Sequence, residues 1–77
     1  MPEFHYTVDG EPQETDNYTM TPIQIMKQDS IDPSKYYLVQ YEGSEKISYK
    51  DDPNKEIHMH NAMVFITIEL APPKPLS

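Results

Sequence analysis

Apolar residues alternate with polar ones at Phe4, Tyr6 and Val8, a period of two that predicts a half-buried strand. Asp9-Gly10 follows at once and signals a tight hairpin. The segment from Gln13 to Met20 is then the returning strand, polar enough for a sheet edge with one wet face. Thr21-Pro22-Ile23-Gln24 marks a helix start. The Thr hydroxyl can accept from a free backbone N–H, Pro tolerates the first helical position, and Gln three residues on completes a capping box. The predicted helix runs from about Pro22 to Gln28, with Ile23 and Met26 toward the core and Ile25 on the flank. Asp32-Pro33 stops any continuation.

Beyond the helix, the run from Tyr36 to Tyr41 predicts a strand, Glu42-Gly43-Ser44 a turn, and Lys46 to Tyr49 a short strand. Lys50 to Lys55 is a charged loop, and Glu56 to His60 forms either one helical turn or an isolated bridge. After a turn at Asn61-Ala62, Met63 to Leu70 is the most apolar segment and is placed as the central strand. A hairpin, one crossover helix and a buried last strand close most simply as a mixed sheet of four to five strands with the helix packed across it. This is an α+β, β-grasp arrangement over residues 1–70, followed by a Pro-rich tail, Ala71 to Ser77, that cannot extend the sheet. No internal repeat is present.

With 77 residues the chain is one small domain with little room for both a core and a deep substrate cleft, which points to a binding or carrier module and away from an enzyme. Thirteen acidic residues against six lysines and no arginine give −7, which argues against nucleic-acid binding. The absence of cysteine removes disulfides, thiol nucleophiles and thiolate metal sites, and favours a reducing compartment. The longest apolar run is too short to span a membrane, and Met1-Pro2-Glu3 lacks the character of a signal peptide. A cytoplasmic monomer with no bound cofactor is expected.

Three further groups of residues bear on function. His58 and His60 would project together from a strand, but a metal site needs three or four convergent ligands and nothing fixes the others; packing within a loop is the simpler role. Ser30, Ser34, Ser44, Ser48 and Ser77 lack the glycine context of a nucleophile elbow. The acidic residues at Asp51-Asp52, Glu42 with Glu45, and Glu11, Glu14 and Asp16 read as a solvated exterior that can also steer toward a basic partner.

Several segments in order carry a family likeness. They are Tyr6-Thr7-Val8-Asp9-Gly10, Ile31-Asp32-Pro33, Tyr37-Leu38-Val39, Glu42-Gly43, and the run from Ile57 to Ile68. On these the chain resembles the bacterial ubiquitin-like proteins of the multiubiquitin family over about positions 4–70. The resemblance implies a protein modifier in a bacterial ubiquitination-like pathway. Its partners would be an activating enzyme that adenylates the C-terminal carboxylate with ATP, a conjugating enzyme and a processing peptidase. Leu76 and Ser77 would be the conjugation terminus, and Pro72, Pro73, Lys74 and Pro75 would thread into the adenylation site. The Pro-Leu-Ser end differs from the Gly-Gly of ubiquitin-type modifiers and argues against a sulfur carrier. The competing reading is a non-covalent acidic binding module or inhibitor that docks a partner through its sheet face.

That face is read from strand phase. With Val64, Ile66 and Ile68 toward the helix, and Tyr37, Val39 and Tyr41 beside them, the residues Leu38, Gln40 and Phe65 are left outside as an apolar partner patch. A phase one residue different buries Leu38 instead.

Overall fold

The computed structural model describes residues 3–71. Its elements are β1 (Phe4–Val8), β2 (Glu11–Thr15), β3 (Thr19–Met20), α1 (Pro22–Gln28), β4 (Tyr36–Glu42), β5 (Glu45–Ser48), β6 (Ile57–His58) and β7 (Met63–Glu69). Five strands form one mixed sheet in the order β2-β1-β7-β4-β5, while β3 and β6 pair as a separate two-stranded ribbon. β1 and β7 run parallel; the other pairs are antiparallel. With the single helix against one face of this sheet, the architecture is β-grasp-like.

Local chemistry sets each junction. Asp9 (φ 52°) and Gly10 (φ 81°) both take positive φ, as a two-residue hairpin turn between twisted strands requires. Asp9 also accepts hydrogen bonds from the Thr67 backbone N–H (2.8 Å) and hydroxyl (2.6 Å), tying the first turn to the last strand. The helix begins as its sequence predicts. Thr21 Oγ1 accepts from Gln24 N–H, and Gln24 Oε1 accepts from Thr21 N–H. It ends on a signal less easily read. Ser30 adopts φ 58°, Ser30 N–H donates to Lys27 and Ile31 N–H to Met26, the double bond pattern of a Schellman cap built without glycine.

The structure departs from the sequence reading at one strand and on one helix face. The stretch from Gln13 to Met20 is not one strand. It breaks after Thr15, whose hydroxyl accepts from Asn17 N–H and turns the chain out of the sheet; β3 then pairs with β6. On the helix, Pro22, Ile25 and Met26 are buried and Ile23 only partly so. These three occupy positions i, i+3 and i+4, so the proline serves the core as well as the helix start.

The core lies between helix and sheet. Tyr6, Val8, Leu38, Met63 and Phe65 from the sheet meet Ile25 and Met26, and Met20, Tyr49, Ile57 and Met59 complete the cluster. Phe65 packs edge-on against Tyr6 at 5.9 Å. The Tyr6 hydroxyl is buried without a hydrogen-bond partner. Burial, and then the charge of Asp29, pushes its pKa above the usual 10.0; burial, and then Glu42, does the same for Tyr49.

Two outcomes follow. Ser30→Gly should stabilise and Thr21→Ala should destabilise, each by about 1 kcal/mol in urea-unfolding free energy, because one relieves a positive φ and the other removes a cap. A tyrosine pKa raised by folding leaves stability intact below the unfolded value and erodes it as pH rises through the folded one. Tyr6→Phe should therefore keep more of its stability than the wild type above pH 10.0, measured as urea midpoints against pH.

Candidate protein-binding face

The strand registers assign every side chain of the sheet to one of two faces. Leu38, Gln40, Met63, Phe65 and Thr67 fall on the helix side with Tyr6 and Val8. The opposite side receives Tyr37 beside Ile68, Val39 beside Ile66, and Tyr41 beside Val64, three cross-strand apolar rows on adjacent strands. Val64 is 42% exposed and Ile68 38%, although both sit in the central strand. No second helix covers these rows among the described residues.

The expected patch of Leu38, Gln40 and Phe65 is therefore corrected. Leu38 and Phe65 are fully buried, and Gln40 is 4% exposed. The apolar side chains outside the helix-facing core share the reverse face: Tyr37, Val39, Tyr41, Val64, Ile66 and Ile68. The inversion has a physical cause. Polar residues at Gln40 and Thr67 suggest a wet side, but both lie on the helix face, Gln40 buried and Thr67 half-buried toward its rim, and both find partners within the fold. Gln40 Oε1 accepts from the buried Tyr49 hydroxyl at 2.9 Å, and Thr67 is held by Asp9. Once satisfied, such groups lose most of the cost of leaving water. Side-chain volume was the signal that could have set the phase, since Leu38, Met63 and Phe65 fill space opposite Ile25 and Met26 better than Val64 and Ile66 would.

The rim of this face is shaped at both ends. At the β5 end, Lys46 Nζ lies 5.7 Å from the centre of the Tyr41 ring and Lys50 Nζ 5.6 Å from that of Tyr37. At the β1–β2 end, His5, Thr7, Pro12, Asn61, Ala62 and Val64 line an open, mainly apolar groove of about 590 Å³. Its edge is fixed by Asn61 Oδ1 accepting from His5 N–H and by Ala62 N–H donating to the His5 carbonyl. His5 Nδ1 stands 3.7 Å from a Glu14 carboxylate oxygen.

The remaining candidates do not converge. His58 and His60 are both exposed on either side of buried Met59, and no group of three metal-ligating side chains forms among the described residues. Ser34 donates its hydroxyl to Asp32, which holds that carboxyl below its usual pKa, and no histidine joins them. Asp51 and Asp52 are exposed in a loop. Leu76, Ser77 and Pro72, Pro73, Lys74 and Pro75 lie outside the described residues. No helix among the described residues is long and apolar enough to cross a membrane. No protein-family model, curated protein or solved structure matches the chain.

The two faces make opposite predictions for the same chemistry. Leu38→Asp should prevent folding, since it places a charge in the core without a partner. Val64→Asp should leave a folded domain that has lost about 1 kcal/mol at most. Circular dichroism and urea unfolding of the two variants check both.

Proposed function

We propose that this protein is a ubiquitin-like protein modifier that partner enzymes grip by the open face of its sheet. In this reading its C-terminal carboxylate, at Ser77 after Leu76, is adenylated with ATP by an activating enzyme, passed to a conjugating enzyme and joined to a target. The pathway is of the bacterial ubiquitination-like kind that the sequence resembles, and Pro72, Pro73, Lys74 and Pro75 form the segment that enters the adenylation site.

The observation that carries the recognition step is the uncovered apolar face of β4 and β7. Val64 and Ile68 stay exposed in the central strand beside the half-buried Tyr37, Tyr41 and Ile66, an apolar surface on a strongly acidic chain that supports a docking role. Backbone pairing brings the end of β7 beside the Tyr37–Ile68 row, so the face and the carboxyl end of the domain lie on the same strand. The conjugation step rests on the family resemblance. A second reading, in which the same face docks a partner without covalent transfer, rests on the same apolar rows.

Intact-mass measurement after incubation with ATP and a matched activating enzyme separates the two. A modifier gains an ATP-dependent adduct that maps to the C-terminal peptide, and deletion of residues 72–77 abolishes it while the far-ultraviolet spectrum is retained. An unchanged mass beside an activating enzyme shown to be active overturns the modifier and leaves the binding module.

A further inference from the structure

The open face is chemically polarised across the sheet, from an apolar groove at β1–β2 to two lysines at β5. The Tyr37, Val39 and Tyr41 rows, with Val64, Ile66 and Ile68, join the two ends. Charge on this side is the reverse of the molecule's. The chain carries −7, yet among the described residues the charged side chains at the apolar rows are Lys46 and Lys50. Among the described residues neither is within ion-pair distance of a carboxylate; each lies over a tyrosine ring instead. The carboxylate that the registers assign to this face is Glu14, at the far edge beside His5.

We infer that the face binds an amphipathic segment of a partner protein whose apolar side chains fill the groove and rows and whose Asp or Glu residues lie over Lys46 and Lys50. This inference rests on the sheet face being the recognition surface, and it names what that surface recognises. From β1 to β5 there are three strand spacings, about 14 Å, which about ten residues of helix would span. Val39 shows how well the tyrosine and lysine end excludes water: it points outward yet is only 4% exposed. Carboxylates placed there meet cations whose stems already lie along apolar surface, a setting in which a rim charge adds both attraction and orientation. A second copy of the chain fits poorly. It would bring a like face with lysines against lysines, and two bodies of −7 repel.

The probe is a phage-displayed library of random peptides of about 15 residues, selected on the full chain. Selected peptides are then synthesised and their affinities measured by fluorescence anisotropy for the wild type, Val64→Asp, Thr7→Arg and the double variant Lys46→Glu/Lys50→Glu. All substituted positions are at least partly exposed, and circular dichroism confirms that each variant is folded. The expected peptides carry clustered acidic residues next to aliphatic or aromatic ones. Their affinity should fall about tenfold with the lysine reversals and weaken as salt rises from about 0.1 to 1 M, while Val64→Asp and Thr7→Arg abolish it. Peptides without an acidic cluster, or affinity indifferent to the lysine reversals but lost with Val64→Asp, overturn the acidic partner and leave the sheet face as the docking surface. Peptides that bind Val64→Asp as tightly as the wild type, or no enrichment at all, overturn both.

Discussion

One short helix can cover only one side of a five-stranded sheet. At seven residues α1 is about 10 Å long, against about 19 Å across the strands. This mismatch shapes the molecule. On the helix side it forces other segments to finish the core, which explains why Met20, Ile57 and Met59 arrive from the β3–β6 ribbon. On the far side it leaves the central strands uncovered, though β4 and β7 are apolar on both faces. A strand at the centre of a sheet is usually apolar on two sides because two layers bury it. Here one layer is the domain's own, and no second layer of helix covers the reverse face among the described residues.

How much of this was legible depended on where the decisive information sat. Signals confined to a few neighbouring residues were read correctly: Asp9-Gly10 as a hairpin, Thr21 to Gln24 as a capping box, and the apolar stretch at Met63 as the central strand. The Schellman cap at Ser30 escaped because its left-handed residue is not glycine. The break after Thr15 escaped because pairing with β6, more than 30 residues on, decides it. The inverted phase has the same root. Gln40 and Thr67 look like solvent-facing residues until their partners, Tyr49 and Asp9, are brought to them by the fold. A candidate site built on the wrong side of two strands thus came from local polarity being answered by distant hydrogen bonds.

The open face combines stiffness with adaptable edges. Its β-branched members, Val39, Val64, Ile66 and Ile68, have little side-chain freedom to lose on binding. Tyr37 and Tyr41 add large, rigid contact area at small entropic cost, and each large aliphatic side chain removed from water contributes about 1.5–3 kcal/mol before association costs are met. In the proposed complex Lys46 and Lys50 would swing from ring to partner, exchanging one favourable environment for another. The groove at β1–β2 is framed by His5 N–H donating to the Asn61 side-chain oxygen and by Ala62 N–H donating to the His5 carbonyl, two bonds that hold its edge.

The placement of β7 has a kinetic meaning as well. It lies between β1 and β4, parallel to a strand that begins about 60 positions earlier, and the Asp9 carboxylate waits for Thr67 across the same interval. Until that final segment leaves the ribosome, the N-terminal hairpin and the β4–β5 hairpin have no shared strand to join them. The high contact order this imposes makes folding an all-at-once, late event. During synthesis the two half-sheets would each expose the edge that β7 later fills, the period in which this domain is most vulnerable to pairing with a neighbour of its own kind.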